Sequence, residues 1–367
     1  MRTGLVWDER YMWWDTRSGA AFMPAGGWLE PGEHAENPST KRRFKNLIDV
    51  SGMADQLVPL KPRMATVEEV ERYHTKEYVA RMKELSDSGG GDAGEITPFS
   101  GGGFEIALLA VGGTLTAIEK TLDGTVDTAY ALVRPPGHHA QKDLGRGFCM
   151  FSNAALGGFH ARQALGLDRV AIVDWDVHHG NGTQWAFYDD PSVLTISLHQ
   201  DRYFPIDSGM VVENGEGAGV GANLNVPLPS GSGVGAYVSA FERVVVPALE
   251  RFNPDLIIVA SGLDASALDP LARQQMHSDG YRALTQFFLG AAASTGSKIM
   301  FTHEGGYSSA YVPFCGLAVL EELTGHRTPV EDPFMPIFAG IGGQDLQPHQ
   351  AALIDQSAAL VERVPAG

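Results

Sequence analysis

The chain has 367 residues, of which 44% are hydrophobic and 19% charged, and its formal net charge is −17. That composition supports a sizeable core, while the acidity excludes the basic face of a nucleic-acid binder. No apolar run approaches the ~20 residues that cross a bilayer, and residues 1–9 lack the features of a secretory leader, so a cytoplasmic enzyme is expected. Its acidity would suit a cationic substrate such as a lysine side chain or a polyamine. Cys149 and Cys315 stand in no metal-like spacing and read as reduced, buried thiols.

In chain order, Ser39 reads as the cap of a helix over residues 41–50. The glycine-rich stretch 88–103 reads as a mobile surface loop with nothing in it to build a core, too short to link two domains. A helical pattern over 104–122 follows, then apolar, β-branched strand patterns at 129–133, 170–173 and 193–198. Beyond these come a helix over 236–252, a strand at 256–260, a helix over 280–293 and a strand at 298–302. Such alternation implies an α/β fold: one domain over residues 1–367, a mostly parallel sheet with helices on both faces.

Nearly every strand pattern runs into polar residues. They are Arg134-Pro135-Pro136-Gly137-His138-His139, Asp174-Trp175-Asp176-Val177-His178-His179-Gly180-Asn181, His199, Ser261-Gly262-Leu263-Asp264 and His303-Glu304-Gly305-Gly306-Tyr307. In a parallel sheet the carboxyl ends of the strands share one edge, where ligands bind. Five distant segments therefore deliver His, Asp, Glu and Tyr to one rim.

Asp174, Asp176 and His178 are spaced by two, so on an extended strand they project to one side while Trp175 and Val177 turn into packing. With Asp264 from a neighbouring strand end, an Asp/His/Asp set with open positions matches catalytic zinc. A manganese pair, as in a ureohydrolase, would want further carboxylates, but Gly180 and Ser266 stand at the relevant spacings. A single metal is expected. His138 and His139 are fit to serve as general base and general acid. Asp174 and Asn181 are candidates to set their tautomers, a charged partner making one imidazole more basic than the other. The phenol of Tyr307, protonated at neutral pH, suits donation to a developing oxyanion.

Together these motifs resemble the histone deacetylase superfamily, and most of all its bacterial histone-deacetylase-like amidohydrolases of the class II kind. The resemblance extends over nearly the whole chain and implies an arginase/deacetylase-like fold with its site at the carboxyl strand ends. It implies removal of a short, acetyl-type group from an N-acyl-lysine or related amide, with acetylpolyamines and small foreign amides as alternatives. It places zinc on Asp176, His178 and Asp264, pairs His138 with Asp174 and His139 with Asn181, and has Tyr307 polarise the scissile carbonyl. Phe148 and Phe204 match tunnel walls, Gly147 a backbone contact to the substrate amide, and Leu271 the rim. Structural potassium would use Asp174, Asp176, His178, Ser197 and Leu198, and a second ion Phe187, Asp190 and Val193. Relatives often form homo-oligomers, so one is expected here. Leu263, where class II members usually carry Phe and class I members Ala, puts substrate fit in question.

Overall fold

A computed structural model describes residues 1–367. Eight strands form its main sheet: β1 (Thr3–Val6), β2 (Leu57–Leu60), β3 (Thr128–Ala131), β4 (Val170–Asp174), β5 (Val193–Gln200), β6 (Asn223–Leu228), β7 (Leu256–Ser261) and β8 (Lys298–His303). Their spatial order is β6-β5-β4-β7-β8-β3-β1-β2. Every neighbouring pair is parallel. The protein is thus a single-domain α/β fold built on one large parallel sheet.

Burial on both faces explains the continuous apolar runs that mark these strands. Alternate residues of β4 enter different cores: Ala171 and Val173 join one cluster, Val170 and Ile172 the other. Helices Ser278–Thr295 and Val312–Thr324 cover the first face, the long helix Gly103–Leu122 the second. Each buried Val or Ile contributes roughly 1.5–3 kcal/mol through lost apolar exposure.

Several elements differ from expectation. Strands β1, β2 and β6 carry weak sequence signals: the first two have four residues each, Pro59 breaks the pattern of β2, and asparagines alternate with apolar residues in β6. Edge position accommodates Pro59, whose missing N–H would leave a gap in a central strand. Ser39 does not cap its helix; it is the first residue of Ser39–Val50, and its own amide donates to Asn37 Oδ1 at 2.9 Å. The helix expected over 236–252 is broken into Val234–Ala240, a wider π-turn at Phe241–Val245, and Val246–Phe252. Pro247 has no N–H to continue the α pattern, and the wider turn absorbs that loss.

The glycine-rich stretch is not a featureless loop. Gly90–Asp92 and Pro98–Ser100 pair as an antiparallel hairpin. Ala93 and Phe99 are fully buried in a third core cluster with Trp14, Phe104 and Phe151. No helix is long and apolar enough to cross a membrane.

Candidate active site

Strand order runs outward from β4 in two directions, through β5 to β6 on one side and through β7 and β8 on the other. A parallel sheet opens a crevice at such a reversal, because the connections on its two sides diverge. β4 ends at Asp174, so Asp176 and His178 lie in a bend rather than on the strand. The bend is tied by its own carboxylates: Asp176 N–H donates to Asp174 Oδ1 at 3.0 Å, and His178 N–H to Asp176 Oδ1 at 2.9 Å. Trp175 and Val177 do point away, into the main core. From the end of β7, Asp264 accepts Val177 N–H on Oδ1 at 2.8 Å.

Ligand atoms of Asp176, His178 and Asp264 all lie within 4.8 Å of one another, and all three residues are buried. Two features fit this trio to a divalent cation. Asp264 Oδ2 is buried without a hydrogen-bond partner, an arrangement that costs free energy unless a positive charge compensates. His178 Nε2 donates to the Leu271 carbonyl at 3.1 Å, leaving Nδ1 free to face Asp176 Oδ1 at 3.1 Å and Asp264 Oδ2 at 3.2 Å. The neighbouring backbone makes room: a Cβ on Gly262 would stand 2.1 Å from Asp176 Oδ2, and one on Gly305 2.2 Å from Asp264 Oδ2. Burial and the Asp176 charge push Asp264 up to about 6, whereas the charges of His138 and His178 hold Asp176 far below the usual carboxylate range despite burial.

The two histidines stand beside this trio with ring centres 4.0 Å apart. His138 Nδ1–H donates to Asp174 Oδ2 and His139 Nδ1–H to Asn181 Oδ1, both at 2.8 Å. Burial favours the neutral form of each, but the carboxylates of Asp176 and Asp174 override it for His138, pushing it up to about 10. With a neutral partner, His139 stays well below the usual imidazole value, held there by burial and the charges of His138 and His178. Glu304 holds the turn that carries the histidines: its Oε2 accepts Gly137 N–H at 2.6 Å and His138 N–H at 3.1 Å. That role has no signature in spacing, since 166 residues separate Glu304 from His138.

A cavity of about 240 Å³ reaches His178 of the trio, lined by Phe22, Ile96, His139, Gly147, Phe148, His178, Tyr203, Phe204, Leu271 and Tyr307. Gly147, Phe148, Phe204 and Leu271 were expected there from the resemblance, and Tyr307 also from its own motif. Phe22, Ile96 and Tyr203 were not, because they come from connections with no motif of their own. None of the ten carries a carboxylate, so the chain's acidity lies outside the cavity wall. Tyr307 packs edge-on against Phe148 at 5.7 Å, and Lys41 Nζ sits 5.6 Å from the centre of its ring.

A model of the histone deacetylase domain matches residues 34–323. The chain belongs to the histone deacetylase family. It is 47% identical to the histone deacetylase-like amidohydrolase of Pseudomonas aeruginosa over 336 residues, 90% of this chain and 88% of that one. It is 32% identical to the human polyamine deacetylase HDAC10 over 82% of this chain and 46% of that protein. Among solved structures, the HDA15 HD domain superposes with a TM-score of 0.86 at 30% identity, covering 99% of this chain and 96% of that one.

Other residues singled out by the resemblance to histone deacetylases lie along β5 and its flanking connections, some beside this centre and some at the amino end of the strand. Asp174 and Ser197 are register partners in β4 and β5, and Ser197 Oγ bonds His199 Nδ1 at 2.9 Å and His179 Nδ1 at 3.2 Å. Leu198 is the next residue of β5 and is buried in the main core. Phe187, Asp190 and Val193 follow one another in a tight connection, Asp190 N–H donating to the Phe187 carbonyl at 3.0 Å. His199 and His303 stand at strand ends but not on the cavity: His199 binds the Gly209 carbonyl at 2.9 Å and His303 the Tyr130 hydroxyl at 2.9 Å. Leu263 is fully buried in the main core and does not line the cavity, so its identity bears on packing beneath the Gly305-Gly306 turn. Cys149 and Cys315 are free and buried, as read from the sequence. Cys149 lies with His138 and Glu304 in a second close group of ligand-type atoms that no spacing announces.

Proposed function

We propose that the chain is a zinc-dependent amidohydrolase that removes a short acyl group from acylated lysine side chains. One observation carries this reading: a mostly apolar cavity has His139, Tyr307 and His178 on its wall, and His178 is grouped with the buried Asp176 and Asp264. Asp176, His178 and Asp264 would hold a zinc ion, which would supply Lewis acidity and water activation at the end of the cavity.

The chain's own groups do the rest. His139, its Nδ1–H committed to Asn181, presents Nε2 to accept a proton from the attacking water. His138, its Nδ1–H held by the Asp174 carboxylate, is stabilised as an imidazolium and gives its Nε2 proton to the departing amine. Tyr307 donates from its phenol to the acyl oxygen as charge develops there. Phe148 and Phe204 flank the stem, Leu271 forms the rim, and the Gly147 backbone meets the substrate amide. An acylated lysine is neutral and brings four methylenes, whose burial is worth roughly 0.8 kcal/mol each. An acetylated polyamine would bring a free ammonium against a wall without a carboxylate, which is unfavourable unless paired. The same reading assigns structural potassium to Asp174, Asp176, His178, Ser197 and Leu198 and a second ion to Phe187, Asp190 and Val193, so replacing potassium by a bulky organic cation should lower Tm.

Side-by-side assay of an acetyl-lysine peptide, an acetylated polyamine and a small aryl amide tests the proposal. The peptide should be hydrolysed best, the activity should vanish with a chelator, and zinc should restore it. Activity indifferent to chelation refutes the metal, and preference for the polyamine refutes the substrate class.

A further inference from the structure

Two glycines precede Tyr307, and Gly306 adopts φ +125°, a conformation that side chains rarely tolerate. The backbone leading to the phenol therefore has no side chain of its own to pack, and hydrogen bonds must fix it. Gly305 N–H donates to Asp176 Oδ2 at 2.8 Å, and the Gly305 carbonyl accepts from Leu263 N–H at 3.0 Å. Both bonds act before Gly306. Beyond it, Tyr307 N–H donates to Asp269 Oδ2 at 2.7 Å.

Asp269 is itself held. Its other oxygen accepts Leu271 N–H at 2.8 Å, and its own N–H donates to the Ser266 carbonyl at 3.0 Å. It is only 8% exposed. One side chain thus takes two amide protons at once, one on each oxygen. This needs two acceptor oxygens: an asparagine has a single one and would turn its NH₂ toward the second N–H.

We infer that Asp269 is a positioning residue that fixes the Tyr307 phenol by clamping its amide to the Leu271 loop. This rests on the reading of the site as an acyl-amide hydrolase in which Tyr307 polarises the carbonyl. A displacement of about 1 Å at a reacting group can cost 10²-fold in rate, so the clamp acts on turnover more than on binding.

Asp269→Asn tests this, with Asp269→Glu as the variant that keeps two acceptor oxygens. For Asp269→Asn, kcat on an acetyl-lysine peptide should fall by about 10–100-fold while KM moves less than about threefold. Bound metal should be unchanged, and amide exchange at Tyr307 should accelerate. Asp269→Glu should recover part of the lost kcat. In a Tyr307→Phe background the same substitution should cost less than about threefold, because the group it positions has gone. An unchanged kcat, a full-sized further loss in the Tyr307→Phe background, or loss of metal in step with activity would each overturn the inference. Failure of the functional reading is distinguishable: the unaltered protein would then hydrolyse no acyl amide. In that event amide exchange still decides the clamp, and unchanged exchange at Tyr307 in Asp269→Asn overturns it.

Discussion

The chemistry of this chain is concentrated in side chains whose partners are as telling as the groups themselves. Tyr307 lines the cavity beside Phe148 and close to His178. Removing its hydroxyl should leave fold and metal intact while raising the barrier by about 3 kcal/mol, or roughly 10²–10³-fold in kcat. Steady-state kinetics of Tyr307→Phe with metal analysis of the same sample checks this, and near-normal turnover would remove the phenol from the reaction. The convergence of Asp176, His178 and Asp264 was legible in the sequence because Asp176 and His178 stand two apart and all three follow strand patterns. Its geometry was not, since the strand ends at Asp174 and hydrogen-bonded bends bring Asp176 and His178 into place. Nor was Asp269 legible, because it acts through backbone amides that have no side-chain signature.

At the scale of elements, the site depends on how closely backbones approach its carboxylates. A Cβ at Gly305 would stand 2.2 Å from Asp264 Oδ2 and 2.6 Å from Asp176 Oδ2. Gly305→Ala should therefore push the Glu304–Tyr307 turn off the ligands and weaken metal affinity by about 10–100-fold, comparable to losing a supporting contact. Competition with a fluorescent chelator reads this directly, and unaltered affinity would show that the turn yields freely. Five of the eight strands were readable because burial on both faces makes them continuously apolar. β6 was not, because Asn223 and Asn225 place polar groups among its apolar residues, where they bond Gln184 at 2.9 and 2.8 Å. The hairpin at 90–100 was hidden for another reason: its glycines read as flexibility, whereas Phe99 anchors it in a core contributed by distant elements.

Over the whole molecule, a buried charge cluster ties the N-terminal segment to the sheet and the site. Arg134 binds both oxygens of Glu36 at 2.8 Å, and Lys41 reaches the same carboxylate at 3.3 Å. Burial opposes the charge on Glu36, yet Arg134 and Lys41 bring it down to about 2 from the ordinary 4.5. A depressed carboxylate stabilises the fold fully above its unfolded value and loses that contribution as pH falls through the folded one. By linkage this is worth about 3 kcal/mol. Urea denaturation should accordingly show stability falling between pH 4.5 and 2, and Glu36→Gln should be destabilised at pH 7 and differ little near pH 2. A gap of equal size at both pH values would contradict it. The net charge of −17 makes a second prediction at this scale. For a lysine-rich acetylated peptide kcat/KM should fall as salt is raised, whereas for a neutral acetyl amide it should hardly change. The most direct test of the central claim is the metal content of the purified chain and of Asp264→Ala, measured by elemental analysis alongside hydrolysis of an acetyl-lysine peptide. The account predicts one zinc per active chain, with both metal and activity lost in Asp264→Ala. Two metals per chain, none in an active protein, or metal retained in the variant would contradict it.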